Sequence, residues 1–286
     1  MTTFALALVL ASAAAHATWN FFAKRAAGGI PFLWLALTSA IPLYAPVALA
    51  VLAISGATIG PVEILWMTVN GALNVAYFTF LQRGYRAGDL GIVYPIARGT
   101  GPVLATIAAI LVFGERPTPL ALAGALGIAI GVFVLTGDPR KLRQRGAGAA
   151  VGYALLTGVT IATYTLWDKR GVSALLIPPV LYEWGSNIAR AAILTPLALP
   201  RWPEIRAEWR ANRTAVLAVA TLSPLAYMLV LTALAISPVS YVAPAREIGI
   251  LFGVLIGART LAEADIGRRS IAAILMVGGV IALALG

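Results

Sequence analysis

The sequence predicts an all-α membrane protein, with ten transmembrane helices arranged as two inverted five-helix repeats around a central cavity. Three observations carry that expectation. Of the 286 residues, 60% are hydrophobic and only 11% charged, whereas a soluble domain carries about 25% charged residues on its outside. Apolar runs of the roughly 20 residues that a bilayer-spanning helix needs recur from end to end. Finally, chemically distinctive residues recur at matching positions in the two halves.

The first run covers 3–23. Its opening, Met1 to Ala17, has the form of an apolar signal segment closing on Ala15-His16-Ala17, but no positive charge precedes it, so a retained first helix is expected. Runs at 31–54, 62–82, 90–113 and 118–136 complete the first unit. After the basic stretch Asp138 to Arg145 come 149–167, 176–199, 213–235, 239–258 and 267–285. The expected organisation is therefore a first repeat over 1–137, a basic connecting loop over 138–147 and a second repeat over 148–286. Several runs contain Pro or Gly, which membrane bundles tolerate where neighbours or water satisfy the freed backbone groups. The longest polar connection, Arg201 to Arg213, reads as a surface helix with Trp202 and Trp209 at the headgroups.

Charge and composition exclude several function classes. The net charge is +10, but the basic residues sit in short breaks between apolar runs, as juxtamembrane positives do, so no nucleic-acid partner is expected. There is no cysteine, which excludes disulfides and thiolate metal sites, and His16 is the single histidine, which excludes a multi-histidine site within one chain. No G-x-x-x-x-G-K-[ST] loop is present to cradle phosphates. Neither a cofactor nor enzymatic activity is expected. The loops after the odd-numbered runs hold most of the positive charge, against Arg116, Lys169 and Arg170 in the others. Positive-inside logic places the charged loops in the cytoplasm and both termini outside.

The duplication is specific. Shifted by 145, Thr18, Trp19, Phe22, Lys24 and Arg25 fall on Thr163, Tyr164, Trp167, Lys169 and Arg170; shifted by 148, Arg98, Gly101, Glu115 and Gly131 fall on Arg246, Gly249, Glu263 and Gly279. Five helices per unit force the second copy to enter the bilayer from the opposite side. In transporters, inverted repeats place the substrate site near the midplane at the repeat interface.

Gly91-Ile-Val-Tyr-Pro-Ile-Ala-Arg98, then Gly101-Pro102-Val103, Leu111-Val-Phe-Gly-Glu115-Arg116 and Gly124 to Val132, resemble the EamA repeat of the drug/metabolite transporter superfamily. A second copy runs from Ser237-Pro238-Val239 through Arg246, Glu263 and Gly279. It departs from the first in Ala262, where Gly precedes the acid, and in Ile250, opposite Pro102. Within the superfamily the chain looks most like YddG-type amino acid exporters. The resemblance implies a bacterial inner-membrane protein, monomer or homodimer, that exports small metabolites such as neutral or aromatic amino acids by alternating access. Sugars, nucleotide-sugars or drugs are the alternative cargo; a lipid flippase or non-transporting membrane partner is the alternative role.

Ionisable groups inside apolar runs are the sharpest site signal, because a charge at the bilayer centre costs about 2.5–3.5 kcal/mol on insertion scales. Arg98, Glu183, Arg190, Arg246 and Glu247 qualify. Arg98 and Arg246 match between the repeats, and either is expected to meet a substrate carboxylate with two parallel hydrogen bonds. Glu183, Asn187 and Arg190 make one stripe at i, i+4, i+7; Glu183, Arg190 and Glu247 are candidates for coupling or ion pairing. His16, Trp19 and Asn20 share a face of helix 1, as Asn70, Asn74 and Tyr77 do on helix 3 and Thr160, Tyr164 and Trp167 on helix 6. With Tyr94, Tyr227 and Tyr241 these supply amides and aromatic faces for a small zwitterion, the plainer alternative for each being helix packing. Gly127 and Gly131, and Gly249, Gly253 and Gly257, recur every four residues and suit close helix contact. Glu115 and Glu263 are expected to cap the helices that follow them.

Overall fold

A computed structural model describes residues 1–26, 29–136, 147–257 and 266–286. Every regular element among them is helical. In chain order they are α1 (Thr3–Ala26), α2 (Ile30–Ser55), α3 (Pro61–Ala87), α4 (Leu90–Phe113), α5 (Pro119–Thr136), α6 (Ala147–Ser173), α7 (Pro179–Ala198), α8 (Trp202–Ile236), α9 (Val239–Ala245), α10 (Ile248–Gly257) and α11 (Ile266–Leu285). Eight stretches are long and apolar enough to cross a bilayer; one of them, Pro179–Ile236, runs through α7, a 3-10 turn and α8. The chain has the build of a multi-pass membrane protein.

Local chemistry sets the helix ends. Glu63 accepts the amide of Gly60 at 2.8 Å and opens α3, and Asp89 accepts the amide of Gly91 at 2.7 Å and opens α4. Gly56 and Gly114 close α2 and α4 in the left-handed region, at φ 63° and 67°, where a side chain would be strained.

Three elements differ from their sequence reading. The run expected at 149–167 continues to Ser173, and the polar Arg201–Arg213 segment is mostly continuous with the next span in α8, bent at Asn212, whose φ of −128° is not helical. The run expected at 239–258 is two helices, because Pro244 has no amide to donate and the ladder tightens there: Glu247 donates to the Pro244 carbonyl and Gly249 to that of Arg246. Arg246 and Glu247 occupy the break. The basic connection 138–146, and Arg259, Ala262 and Glu263, lie outside the described residues.

The two halves interleave. α1 packs on α8 and α3 on α6; α2 meets α7, α5 meets α11, α4 lies against α6, and α10 against α1. In the α5–α11 seam backbone meets backbone: a Cβ on Gly124 would stand 2.6 Å from the Gly279 carbonyl oxygen, and one on Gly279 2.6 Å from that of Gly124. Gly131 presses on Met276 in the same seam, whereas Gly127 has more room. Gly249 rests against Ala13, nothing lies within 4 Å of a Cβ on Gly253, and the surroundings of Gly257 are outside what is described.

Glu115 does not cap α5. Its carboxylate reaches into the other half and accepts the amides of Val239, at 2.7 Å, and Ser240, at 2.9 Å, at the start of α9. Lys169 serves the same corner from α6, its ammonium donating to the carbonyls of Leu234, at 2.7 Å, and Ser237, at 3.1 Å. Together they satisfy the bare end of α8 and the bare start of α9, each by the charge that suits that helix pole.

Gly279→Val is expected to lower stability by about 1–3 kcal/mol through overpacking of the seam, while Gly253→Val leaves it nearly unchanged. Thermal unfolding of the two variants purified in detergent checks the contrast.

Candidate functional site

Among the described residues six charged side chains lie deep among the helices: Arg98 on α4, Asp168 on α6, Glu183 and Arg190 on α7, and Arg246 and Glu247 at the α9–α10 break. Lipid offers no water to solvate them, so each must find compensation within the protein. Glu183 and Arg190 pair directly, and the Arg190 guanidinium also stands 5.9 Å from the centre of the Tyr227 ring. Arg98 approaches Glu247 to 3.2 Å. The angle is not that of a hydrogen bond, so this contact is charge pairing alone. Arg246 differs from both: its side chain makes no hydrogen bond or ion pair with any other described residue, although Glu247 is within its electrostatic reach, and the residue keeps part of its surface open while its neighbours along the chain are buried.

Aromatic and amide groups surround these charges. Tyr77 and Tyr164 meet edge to face with centroids 6.0 Å apart. Arg98 lies within electrostatic reach of Tyr77, Tyr94 and Tyr164, Arg246 within reach of Tyr164 and Tyr227, and His16 within reach of both arginines. His16 also stacks edgewise on Trp19 at 4.9 Å. His16, Tyr77, Tyr94 and Tyr227 are half-buried, so this inner surface is not sealed by packing. A recess of about 140 Å³ between α4 and α5 reaches Arg98 and Glu247, walled by Thr106, Ile128 and Pro244.

Asp168 is the centre of a second cluster. It is 1% exposed and binds side chains from three other helices. Its Oδ1 accepts from the Asn70 amide at 2.5 Å and the Tyr182 hydroxyl at 3.1 Å; its Oδ2 accepts from the Tyr227 hydroxyl at 2.5 Å. Asn70 donates as well to the Tyr227 oxygen at 3.2 Å, and the Asn74 amide donates to the Asn70 side chain at 3.1 Å. Through Tyr227 this cluster adjoins Arg190 and Arg246.

The structure thus brings together His16, Asn70, Asn74, Tyr77, Tyr94, Arg98, Tyr164, Glu183, Arg190, Tyr227, Arg246 and Glu247 from both halves. Other expected residues do different work. Trp167 stacks on Trp66 with centroids 3.7 Å apart, and each indole N–H donates to the other residue's carbonyl, at 2.9 and 3.0 Å, which welds α6 to α3. Tyr241 stands at one end of the bundle, its hydroxyl accepting the Thr118 amide at 3.3 Å. Asn20 is exposed and bonds the His16 carbonyl one turn back. Asn187 faces inward as its stripe requires, but its amide goes to the Leu37 carbonyl of α2 at 2.8 Å.

Asp168 itself escapes the sequence reading, because the Asp168-Lys169-Arg170 triplet looks like the end of an apolar run. The repeat holds a signal for it: the matched block of Thr163 to Arg170 corresponds to a stretch of the first half that continues through Lys24 and Arg25. That match extends helix 6 beyond Trp167 and carries Asp168 inside.

Residues 3–137 match the EamA-like transporter family. The first half of the chain is thus similar to a family of membrane transporters. A solved crystal structure is similar over 100% of this chain and 98% of its own, with a TM-score of 0.78 at 20% identity. At that identity the likeness concerns fold alone, and it takes in the second half, which the family match does not reach.

Arg98→Met is expected to destabilise the protein by about 3–5 kcal/mol, since it leaves Glu247 buried without its cation. Adding Glu247→Gln to it should restore much of that loss, and melting temperatures of the single and double variants measure the recovery.

Proposed function

We propose, starting from the EamA-like match over residues 3–137, that the chain is a secondary transporter exporting small metabolites, above all neutral and aromatic amino acids, across the bacterial inner membrane. In this reading ten spans form two inverted five-helix repeats, and alternate tilting of the halves exposes a shared central site to each side in turn. The reciprocal packing of α1 on α8 and α3 on α6, of α2 on α7 and of α5 on α11 supports that symmetry, since each contact is its own counterpart or has one when the halves are exchanged. The exporter assignment itself rests on the likeness of the chain, within the superfamily whose repeat the 91–132 segment resembles, to YddG-type proteins.

The single observation that carries the substrate class is the state of Arg246. The residue is partly open and its side chain has no hydrogen bond or ion pair with a described neighbour, and a planar fork of donors left in that state fits a carboxylate. Tyr164 and Tyr227 flank it, and with Tyr77 and Tyr94 they offer ring faces to an ammonium group or to an aromatic side chain. Arg98 and His16 complete the electropositive side, and the Arg98–Glu247 contact is loose enough to rearrange when an anion arrives.

Counterflow in proteoliposomes with a solute panel, amino acids first, tests this reading. Arg246→Ala should cut amino acid counterflow about tenfold or more, the loss expected when charged hydrogen bonds of roughly 1.5–3 kcal/mol are removed. Arg246→Lys should recover only part of it, and Trp167→Phe little affects it. Flux of sugars or nucleotide-sugars without any amino acid would overturn the substrate class; no solute flux by folded protein would overturn transport.

A further inference from the structure

We infer that Asp168 is a proton-binding site that works together with the central site through Tyr227, so that a proton and a substrate carboxylate bind cooperatively. The inference deepens the transporter reading and rests on it for the substrate, but the proton site itself stands on its own geometry. One carboxylate gathers Asn70 from α3, Tyr182 from α7 and Tyr227 from α8. All three donors are neutral, and among the described residues no cation lies within ion-pair distance of it. Hydrogens are directed at both oxygens, and the residue is 1% exposed.

The groups facing Asp168 can be named helix by helix. α3 presents Asn70, with Asn74 behind it. α7 presents Tyr182 and the acid Glu183, which is bound to Arg190. α8 presents Tyr227, and from the α9–α10 break Arg246 supplies the positive charge that Asp168 feels. On its own helix, Lys169 is committed to the carbonyls of Leu234 and Ser237. Asp168 is thus the one deep carboxylate among the described residues without a paired arginine, and Arg246 the one deep arginine without a paired carboxylate.

A proton changes this arrangement in a defined way. An ionised carboxylate only accepts, and Tyr227 then donates to Oδ2 while accepting from Asn70. Once Oδ2 carries a proton it becomes the donor, and Tyr227 must accept from it and turn its own hydrogen toward the interior. Two things follow at the central site. The negative charge that partly offsets Arg246 disappears, and a hydroxyl donor becomes available beside it. Both favour an incoming carboxylate, and by linkage a bound carboxylate favours the proton equally. Substrate leaving down its own gradient would therefore carry a proton with it.

Infrared spectroscopy of the detergent-purified full chain, titrated with acid and base, tests the site without reference to transport. The wild type should show a carboxylic-acid C=O band that comes and goes with pH and is absent in Asp168→Asn. Tyr227→Phe, which keeps the acid, should retain the band with a displaced midpoint. A wild type without a band that Asp168→Asn removes, or a band indifferent to Tyr227→Phe, would overturn the proposal. In vesicles holding a pH dye, phenylalanine efflux should make the lumen more alkaline with the wild type, and Asp168→Asn should exchange phenylalanine without moving protons. Proton movement that persists in Asp168→Asn would overturn the coupling. The titrating band in a protein that moves no phenylalanine would uphold the proton site while removing the transport reading.

Discussion

Compensation of buried charge without water is the constraint on which the rest of this structure depends. Lipid around the bundle can accept neither an unpaired carboxylate nor a bare helix end. The chain answers from within: Glu183 with Arg190, Arg98 with Glu247, Asp168 with three neutral donors, Glu115 and Lys169 on the α8–α9 corner. Nearly all these partners come from different helices, and those of Arg98, Glu115 and, through Asn70, Asp168 cross between halves. The polar groups therefore hold the bundle in register, a task that apolar contact cannot perform where the surrounding solvent is equally apolar.

Against that background, Arg246 and Asp168 stand out among the deep charges of the described residues as those without an ion pair. They meet near Tyr227, where the break after Pro244 brings Arg246 toward α6 and α8. A continuous helix would carry this arginine further around the turn, as Arg98 is carried on unbroken α4. The two arginines match in the sequence, but the broken backbone gives them unequal positions, one tethered to an acid and one not.

Much of this was legible in the residues. Hydropathy gave nearly every helix, and the repeat singled out Arg98 and Arg246, which do share one interior region. Periodicity placed Glu183, Asn187 and Arg190 on an inward face. It could not say which neighbour each would meet, so Asn187 and Trp167 turned out to brace α2 and α3. Glu115 shows the same limit: an acid in a turn is visibly a cap, but the helix it caps lies more than a hundred residues further along the chain. Asp168 was hidden by the rule that an apolar run stops at its first charge, a rule that fails where the end of a helix is itself buried.

The corner held by Glu115 and Lys169 has a mechanical meaning. A carboxylate of the first half grips two amides at the start of α9, while an ammonium of the second half grips two carbonyls at the end of α8. Parting the halves along that rim strands two backbone amides at once, those of Val239 and Ser240, whereas the Lys169 contacts lie within the second half and stay whole. The Glu115 grip is therefore the part of the corner that any separation of the halves must break, and its two oxygens let go of two neighbouring amides together.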